Sequence, residues 1–311
     1  MKKIITGFSL LFFMFLLLLF PEQVKAGSLD GLFLWYNSVV PILLPFLILS
    51  NIIIATDSLS PFLNPLFSIQ KKHKRFQPLL LYPVFLGLFC GFPMGAKTIA
   101  DLIRSEKMSI RQGNLLLPVV NQASPMFLAG FVGVHILNKQ LSLFQILYYL
   151  YLPAFFSLIL RLLFSKEDRT VNSRSASSVL PENKNSMSLN LEHTIWNSFY
   201  VIVIIGIYMM LFSVASRLCM ELLPKNNGVS ILLCSLEFSN GLNQLSKLTF
   251  LNPVTKTGLL LALTSFGGFC TAAQTSTLVK ETGVSMKSYL FWKFLIALFV
   301  FFLYSSSNSS S

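Results

Sequence analysis

The sequence predicts an all-α polytopic membrane protein with about eight to nine transmembrane helices, some of them broken or re-entrant, arranged in two repeats. Only 12% of the 311 residues are charged, whereas about a quarter are charged in a typical soluble domain. The mean hydropathy is +0.67, and the apolar runs are long and continuous. A transmembrane β-barrel would instead have alternating segments of about ten residues. Short clusters of Gly, Pro and polar residues interrupt several apolar runs, which predicts helices that break inside the membrane.

The positive charge is spread over loops and helix ends rather than collected on one soluble face. The formal net charge of +12 therefore indicates cytoplasmic loops and attraction to anionic lipid, not nucleic-acid binding. The four cysteines lie far apart in or beside apolar segments, and no C-x-x-C spacing occurs. Neither a zinc site nor a redox motif is indicated.

The first apolar run, residues 4–20, has two interpretations. Val24-Lys25-Ala26 resembles a signal-peptide cleavage site, whereas the length of the run suits a transmembrane helix. We favour an uncleaved helix or signal anchor over residues 1–28, with the N-terminus on the cytoplasmic side.

The first repeat is predicted at residues 29–164 and begins with a span at 31–54, followed by a basic cluster at 71–75. The segment 79–112 contains two glycines and a proline within the five residues Gly91-Phe92-Pro93-Met94-Gly95, which cannot continue a regular helix. Its apolar part is short for a full crossing, which needs about 20 residues. We expect a re-entrant hairpin here, with a full crossing as the alternative.

A second break follows in the next span, 113–137, at Asn121-Gln122-Ala123-Ser124-Pro125. A further span occupies 141–164. Residues 165–190 are rich in Ser, Asn and charge, which predicts a flexible linker.

The second repeat is predicted at residues 191–305 and follows the same order of features more loosely. Its apolar segments are 196–212, 231–248, 257–279 and 289–304, and the two middle segments are interrupted by Glu237-Phe238-Ser239-Asn240-Gly241 and by Phe266-Gly267-Gly268. Residues 306–311 predict a disordered tail. If each repeat makes an odd number of crossings, the two repeats are inverted.

The helix breaks predict a solute site near the middle of the membrane. A broken helix exposes N–H groups that suit an anion at one half-helix end and C=O groups that suit a cation at the other. The predicted substrate-binding residues are Gly91, Phe92, Pro93, Gly95, Asn121, Gln122, Ser124, Pro125, Glu237, Asn240, Gly241, Gly267, Gly268 and Gln274. The alternative for each is that small and polar residues pack helices or satisfy freed backbone groups.

Lys97 and Asp101 lie four residues apart, hence on one helical face, and are candidate charge partners of the solute or of each other. No cofactor and no metal site is predicted, and a coupling H⁺ or Na⁺ is left open. The sequence lacks an H-E-x-x-H motif, a G-x-S-x-G motif and a Walker A loop, so we expect no enzymatic activity.

Three stretches resemble the YlbJ-type sporulation integral membrane proteins, which carry nucleoside-recognition (Gate) domains: GLFLWYNSVVPILLPFLILS, GFPMGAKTIADLI and NQASPMFLAGFVG. The second half agrees more weakly, through LEFSNG and SFGGFCTAAQTSTLVKETGVSMKSYLFWK. The resemblance implies Gate-like repeats similar in design to concentrative nucleoside transporters, a role in endospore formation, and transport of a small anionic or nucleoside-like solute such as dipicolinate. This chain departs from the pattern in its compressed loops and looser second half.

A non-transporting membrane scaffold for assembly of the spore envelope, or cortex, is the alternative function. The resemblance implies a location in the bacterial cell membrane, or in the forespore membrane during sporulation. The expected partners are the lipid bilayer and a small-molecule solute, without nucleic acid, and a homo-oligomer is left open.

Overall fold

The computed structural model describes residues 2–55, 81–164, 191–224 and 226–308, and every regular element within these ranges is helical. The predicted basic cluster 71–75 and the predicted linker 165–190 lie outside the described residues. The first half contains α1 (Lys2–Leu19), α2 (Pro21–Leu34), the π-helical turn π1 (Trp35–Val39), α3 (Val40–Ala55), α4 (Leu81–Cys90), α5 (Met94–Arg104), α6 (Ile110–Val120), α7 (Pro125–Phe127), the π-helical segment π2 (Leu128–Ile136) and α8 (Leu143–Phe164). The second half contains α9 (Leu191–Leu222), α10 (Asn227–Leu233), α11 (Phe238–Ser246), α12 (Pro253–Phe266), α13 (Gly268–Val279) and α14 (Met286–Asn308).

Four helical segments among the described residues are long and apolar enough to cross a membrane: Ile110–Ile136, Leu143–Phe164, Ile195–Leu222 and Met286–Asn308. A fifth span results if Leu10–Leu19 and Pro21–Val39, which bend by 101° at their junction, form one crossing. The helical architecture and these spans support a polytopic α-helical membrane protein. The full number of about eight to nine crossings stays a prediction. The helix α14 continues to Asn308, inside the segment 306–311 that the sequence predicts to be disordered.

Local sequence signals explain where the broken helices stop and start. Ser109 and Gln112 form a capping box at the start of α6. Ser124 caps α7 by accepting a hydrogen bond from the backbone N–H of Phe127, and Pro125 occupies the first position of that helix, where its missing N–H costs nothing. Gly267 ends α12 in the left-handed conformation that glycine adopts easily, with φ of +81°.

After α1, which has no counterpart in the described part of the second half, both halves have the same order of elements. A long helical segment comes first, two short helices and a helix pair joined at a break follow, and a long helix comes last. In the first half these are α2–α3, then α4 and α5, then α6 and α7–π2, then α8. In the second half they are α9, then α10 and α11, then α12 and α13, then α14.

The leading helices of the two halves pack against each other in antiparallel fashion. Gly27 lies against the backbone of Val214, and Gly31 lies against the backbone of Met210. Further along, the indole Nε1 of Trp35 donates a hydrogen bond of 2.8 Å to the carbonyl of Ile202. As the residue number rises on one helix it falls on the other, and the two glycines allow the backbones to approach closely. Arg217 and Asp30 form an ion pair between the same two helices, with N–O distances of 2.6 and 2.8 Å.

The final helices of the two halves are also antiparallel neighbours. The rings of Tyr149 and Tyr304 lie 5.1 Å apart, and those of Phe156 and Phe299 lie 5.5 Å apart. The guanidinium of Arg161 lies 4.8 Å from the ring centre of Trp292, a cation–π contact. Aromatic side chains therefore join α8 and α14 along their length.

The short helices lie inside this frame of long helices. Gly87 on α4 and Gly95 on α5 both face the backbone of Val120, so closely that a Cβ atom at either position would overlap the Val120 carbonyl. In the second half, Gly241 on α11 lies equally close to the carbonyl of Cys234. The predicted site residues Gly95 and Gly241 thus allow helix backbones to touch.

Candidate functional site

The two breaks of the first half contact each other directly. The backbone N–H of Phe92, in the break between α4 and α5, donates a hydrogen bond of 2.8 Å to the carbonyl of Gln122, in the break between α6 and α7. Gly91 has a φ of +71°, and a Cβ atom there would lie 2.5 Å from the backbone nitrogen of Ser124. Glycine is required at this contact by both conformation and space. Pro93, which follows a cis peptide bond, precedes the first residue of α5.

The two breaks of the second half also meet, with the donors and acceptors reversed. Here the break between α12 and α13 supplies the donors: Phe269 N–H bonds to Ser235 O at 2.8 Å, and Cys270 N–H bonds to Leu236 O at 2.9 Å. Gly268, with φ of +74°, provides the turn that directs these N–H groups at the carbonyls of the other break.

Residues in or beside the helix breaks line one cavity between the halves: Phe92 and Glu237 lie in breaks, Phe127 ends α7, and Cys270 and Thr271 lie in the first turn of α13. Its volume is about 20 Å³, enough for about one water molecule. Three aromatic rings close it: Phe238 lies 5.2 Å from Phe92 and 5.4 Å from Phe127, measured between ring centres. Its polar lining includes Glu237, Ser239, Thr271 and Gln274. The rest is Cys270 on α13 and apolar surface from π1, α3 and α9.

Glu237 is the charged side chain on this cavity, and it is only 2% exposed. Its carboxylate caps α11 by accepting hydrogen bonds from the backbone N–H groups of Ser239 at 3.1 Å and Asn240 at 2.6 Å. The positive end of a helix dipole stabilises such a carboxylate. The helix end that could hold a solute anion is therefore already occupied by a carboxylate of the chain itself.

Two buried polar atoms in this region have no hydrogen-bond partner among the described residues. They are the amide oxygen Oε1 of Gln274, whose side chain lines the cavity, and the amide nitrogen Nδ2 of Asn240 on α11. A buried polar group without a partner costs about 1–3 kcal/mol. The Gln274 oxygen supplies an acceptor that a solute in the cavity could use.

A second polar cluster lies on the other side of the first-half breaks. Lys293, in the middle of α14, is only 1% exposed. Its ammonium donates hydrogen bonds to the backbone carbonyl of Asn121 at 3.1 Å and to Oε1 of Gln122 at 3.0 Å. The side-chain amide of Asn121 donates to Thr275 Oγ1 and to the Tyr289 hydroxyl, both at 2.8 Å. Asn121 and Gln122 are thus bonded to the second half through Lys293, Tyr289 and Thr275.

The structure places five of the fourteen predicted site residues at the cavity or at the Lys293 cluster. Phe92, Glu237 and Gln274 line the cavity, and Asn121 and Gln122 bind Lys293. Sequence reasoning missed Lys293, Tyr289 and Thr275. The available signal was a lysine inside the apolar run 289–304, because a charge at membrane depth marks a candidate site.

The predicted pair of Lys97 and Asp101 is not formed among the described residues. Asp101 is exposed and pairs with Arg104 at 3.5 Å, and Arg104 also donates to the carbonyl of Leu278 at 2.9 Å. That second bond fixes the guanidinium beside Asp101, which explains why Arg104 rather than Lys97 is its partner. Among the described residues, no group of three or more His, Cys, Asp or Glu side chains could hold a metal ion.

The chain is similar to the sporulation integral membrane protein YlbJ of Bacillus subtilis (strain 168). The two are 24% identical over 337 aligned positions, which cover 95% of this chain and 81% of that protein. No family model matches the chain, and no solved structure matches it. The similarity extends along nearly the whole chain and supports the resemblance to YlbJ-type membrane proteins, whereas the Gate repeats stay a prediction.

Proposed function

We propose that the chain is a transporter-like permease that acts in sporulation and moves a small solute through the cavity between the helix breaks. The observation that carries the proposal is one cavity between the halves that is lined by residues in or next to the helix breaks. Non-helical backbone at membrane depth is tolerated only where it is buried in protein or lines a cavity, and transporters use such breaks to bind solutes. The printed name of the B. subtilis relative supports the sporulation setting.

The two halves are proposed to be inverted repeats related by a two-fold axis in the membrane plane. Such an axis pairs each element with its counterpart in antiparallel fashion. The antiparallel contacts of α2 with α9 and of α8 with α14 support this arrangement. Secondary transporters built on this symmetry bind their solute where the two repeats meet.

A neutral, planar, polar solute of the nucleoside class fits the lining best. The three phenylalanine rings offer stacking surfaces, while Gln274 offers an acceptor. An anion such as dipicolinate is less well supported, because the N–H groups that would bind its carboxylates already bind Glu237, Ser235 and Leu236.

The cavity has to enlarge before it can hold any such solute. Its volume of about 20 Å³ is far below the roughly 300 Å³ at which small-molecule sites begin. The halves would therefore separate at the Phe92–Phe238 and Phe127–Phe238 contacts during transport.

Uptake into proteoliposomes tests the permease. We expect purified protein to move radiolabelled uridine, adenosine or dipicolinate faster than empty liposomes do. Glu237→Gln should reduce uptake at least tenfold, whereas the exposed Glu221→Gln on α9 should not. If none of the three solutes is transported and none raises the melting temperature, the proposed solute class is wrong.

A membrane scaffold for the spore envelope is the second candidate, and the small closed cavity favours it. Expression in a B. subtilis strain lacking YlbJ separates the two functions. A permease predicts that Glu237→Gln, inserted at normal levels, fails to restore sporulation. A scaffold predicts that this variant and Asn121→Ala restore it as well as the unaltered chain does.

A further inference from the structure

Lys293 lies at the carbonyl end of a broken helix. The half-helix α6 ends at Val120, and the next residue, Asn121, presents its backbone carbonyl to the Lys293 ammonium. The C-terminal end of a helix carries partial negative charge, which attracts cations. In broken transmembrane helices, such carbonyl ends bind Na⁺ or H⁺.

The atoms around the ammonium are neutral oxygens. Its two acceptors are the Asn121 carbonyl and the amide oxygen of Gln122, and no Asp or Glu of the described residues forms an ion pair with it. A buried ammonium is normally paired with a carboxylate, because an unpaired buried charge is costly. Neutral oxygen ligands at a helix end are instead the environment of a bound monovalent cation.

An additional oxygen in this cluster has no partner. The hydroxyl of Thr275 donates to the carbonyl of Thr271 at 2.8 Å, so it must accept from the amide nitrogen of Asn121. That bond fixes the orientation of the Asn121 amide, whose oxygen Oδ1 is buried without a hydrogen-bond partner among the described residues. The cluster therefore contains more oxygen acceptors than the Lys293 ammonium uses.

We propose that this cluster is a monovalent-cation site whose occupant is the ammonium of Lys293. The lysine stands where a Na⁺ or K⁺ ion would otherwise bind the carbonyl end of α6. The site assignment is independent of the proposed transport. If the protein also transports a solute as proposed, the unaltered chain needs no Na⁺ to order the broken span formed by α6 and α7.

Removing the amine should expose the cation site to free ions. We expect Lys293→Ala, purified in detergent, to melt at a lower temperature than the unaltered chain. NaCl, KCl or ethylammonium chloride should then raise its melting temperature by several degrees in a saturable manner. Choline chloride at the same ionic strength should not, because choline is too large for the site.

The controls are the unaltered chain and Lys287→Ala, which removes an exposed lysine from the same helix. Both should respond equally to all four salts. The proposal is overturned if Lys293→Ala also responds equally to all four salts, or if the unaltered chain has the same selective response.

A second variant keeps the proposal testable if Lys293→Ala cannot be purified. Gln122→Glu gives the ammonium a carboxylate partner and removes, among the described residues, only the hydrogen bond of 3.1 Å from the Gln122 side-chain amide to the carbonyl of Pro118. If Lys293 is a buried cation held by neutral oxygens, this variant should melt several degrees higher at neutral pH. An unchanged or lower melting temperature would contradict the presence of a charged ammonium in the site.

Discussion

Glu237 and Lys293 are buried charges that stand at opposite kinds of helix end. The carboxylate binds the N–H end of α11, and the ammonium binds the C=O end of α6. In both cases the helix dipole favours the sign of the side chain. The chain therefore supplies its own counter-charges to the broken helices instead of leaving both ends to a solute or an ion.

The helix cap formed by Glu237 should contribute measurably to the free energy of unfolding. We expect Glu237→Ala to lower the free energy of unfolding by about 0.5–2 kcal/mol, because two backbone N–H groups of α11 lose their acceptor. Glu237→Gln keeps one acceptor oxygen and should lose less. Thermal unfolding in detergent measures both, with the exposed Glu221→Ala as the control. Equal stability of all three variants would contradict the capping role.

Single residues of the site differ in how far the sequence could predict them. Gly91 and Gly267 were predictable, because clusters of glycine and proline inside apolar runs are typical of helices that break within the membrane. The self-capping of Glu237 was not, since the local pattern fits a solute ligand equally well. Lys293 was overlooked because its partners, Asn121 and Gln122, are distant in sequence and only the fold joins them.

At the scale of elements, Tyr151 on α8 holds the first-half breaks together. Its hydroxyl contacts the carbonyl of Leu88 on α4 at 3.3 Å and that of Ala123 in the α6–α7 break at 3.2 Å. One side chain thus joins three elements of the first half. The order of these elements was predicted from the sequence, but the bridging role of Tyr151 was not.

Removing this hydroxyl should loosen the first-half breaks. We expect Tyr151→Phe to cost about 1 kcal/mol of unfolding free energy, because a carbonyl loses its donor while the ring stays packed. Hydrogen exchange should also become faster at Phe92 N–H. The exposed Tyr148→Phe on the same helix serves as the control. Unchanged exchange at Phe92 would contradict this role of Tyr151.

The close contact of α2 with α9 depends on small residues. A Cβ atom at Gly31 would lie 2.8 Å from the Cα of Met210, so Gly31→Ala should push the helices apart and cost about 1–3 kcal/mol. Gly7→Ala on α1 meets nothing within 4 Å and should be neutral or slightly stabilising through helix propensity. Unfolding in detergent compares them, and equal effects of the two substitutions would contradict the tight α2–α9 packing.

At the scale of the whole molecule, inverted repeats predict on which side of the membrane each turn lies. The turns that follow the two short-helix pairs contain the exposed residues Ser105 and Thr249. Inversion places these equivalent turns on opposite sides of the membrane. In a background with Cys219→Ser, we expect an impermeant maleimide to label Ser105→Cys only from the cytoplasmic side and Thr249→Cys only from the other side.

Labelling of both turns from one side would instead indicate parallel repeats. The sequence predicted two repeats because GFPMG and EFSNG, and NQASP and SFGGF, occur in the same order. It could not determine their relative orientation, since that depends on whether the segment 79–112 returns or crosses. The antiparallel contacts of the long helices support the inverted arrangement that we propose.

The backbone hydrogen bonds that join the breaks differ in number and in direction between the two halves. In the first half, one backbone hydrogen bond joins the breaks, and the α4–α5 pair is its donor. In the second half two such bonds join them, and the α10–α11 pair is the acceptor. These bonds lie within each half and do not cross the cavity. In the proposed transport, the breaks of the second half would therefore move together more rigidly than those of the first half.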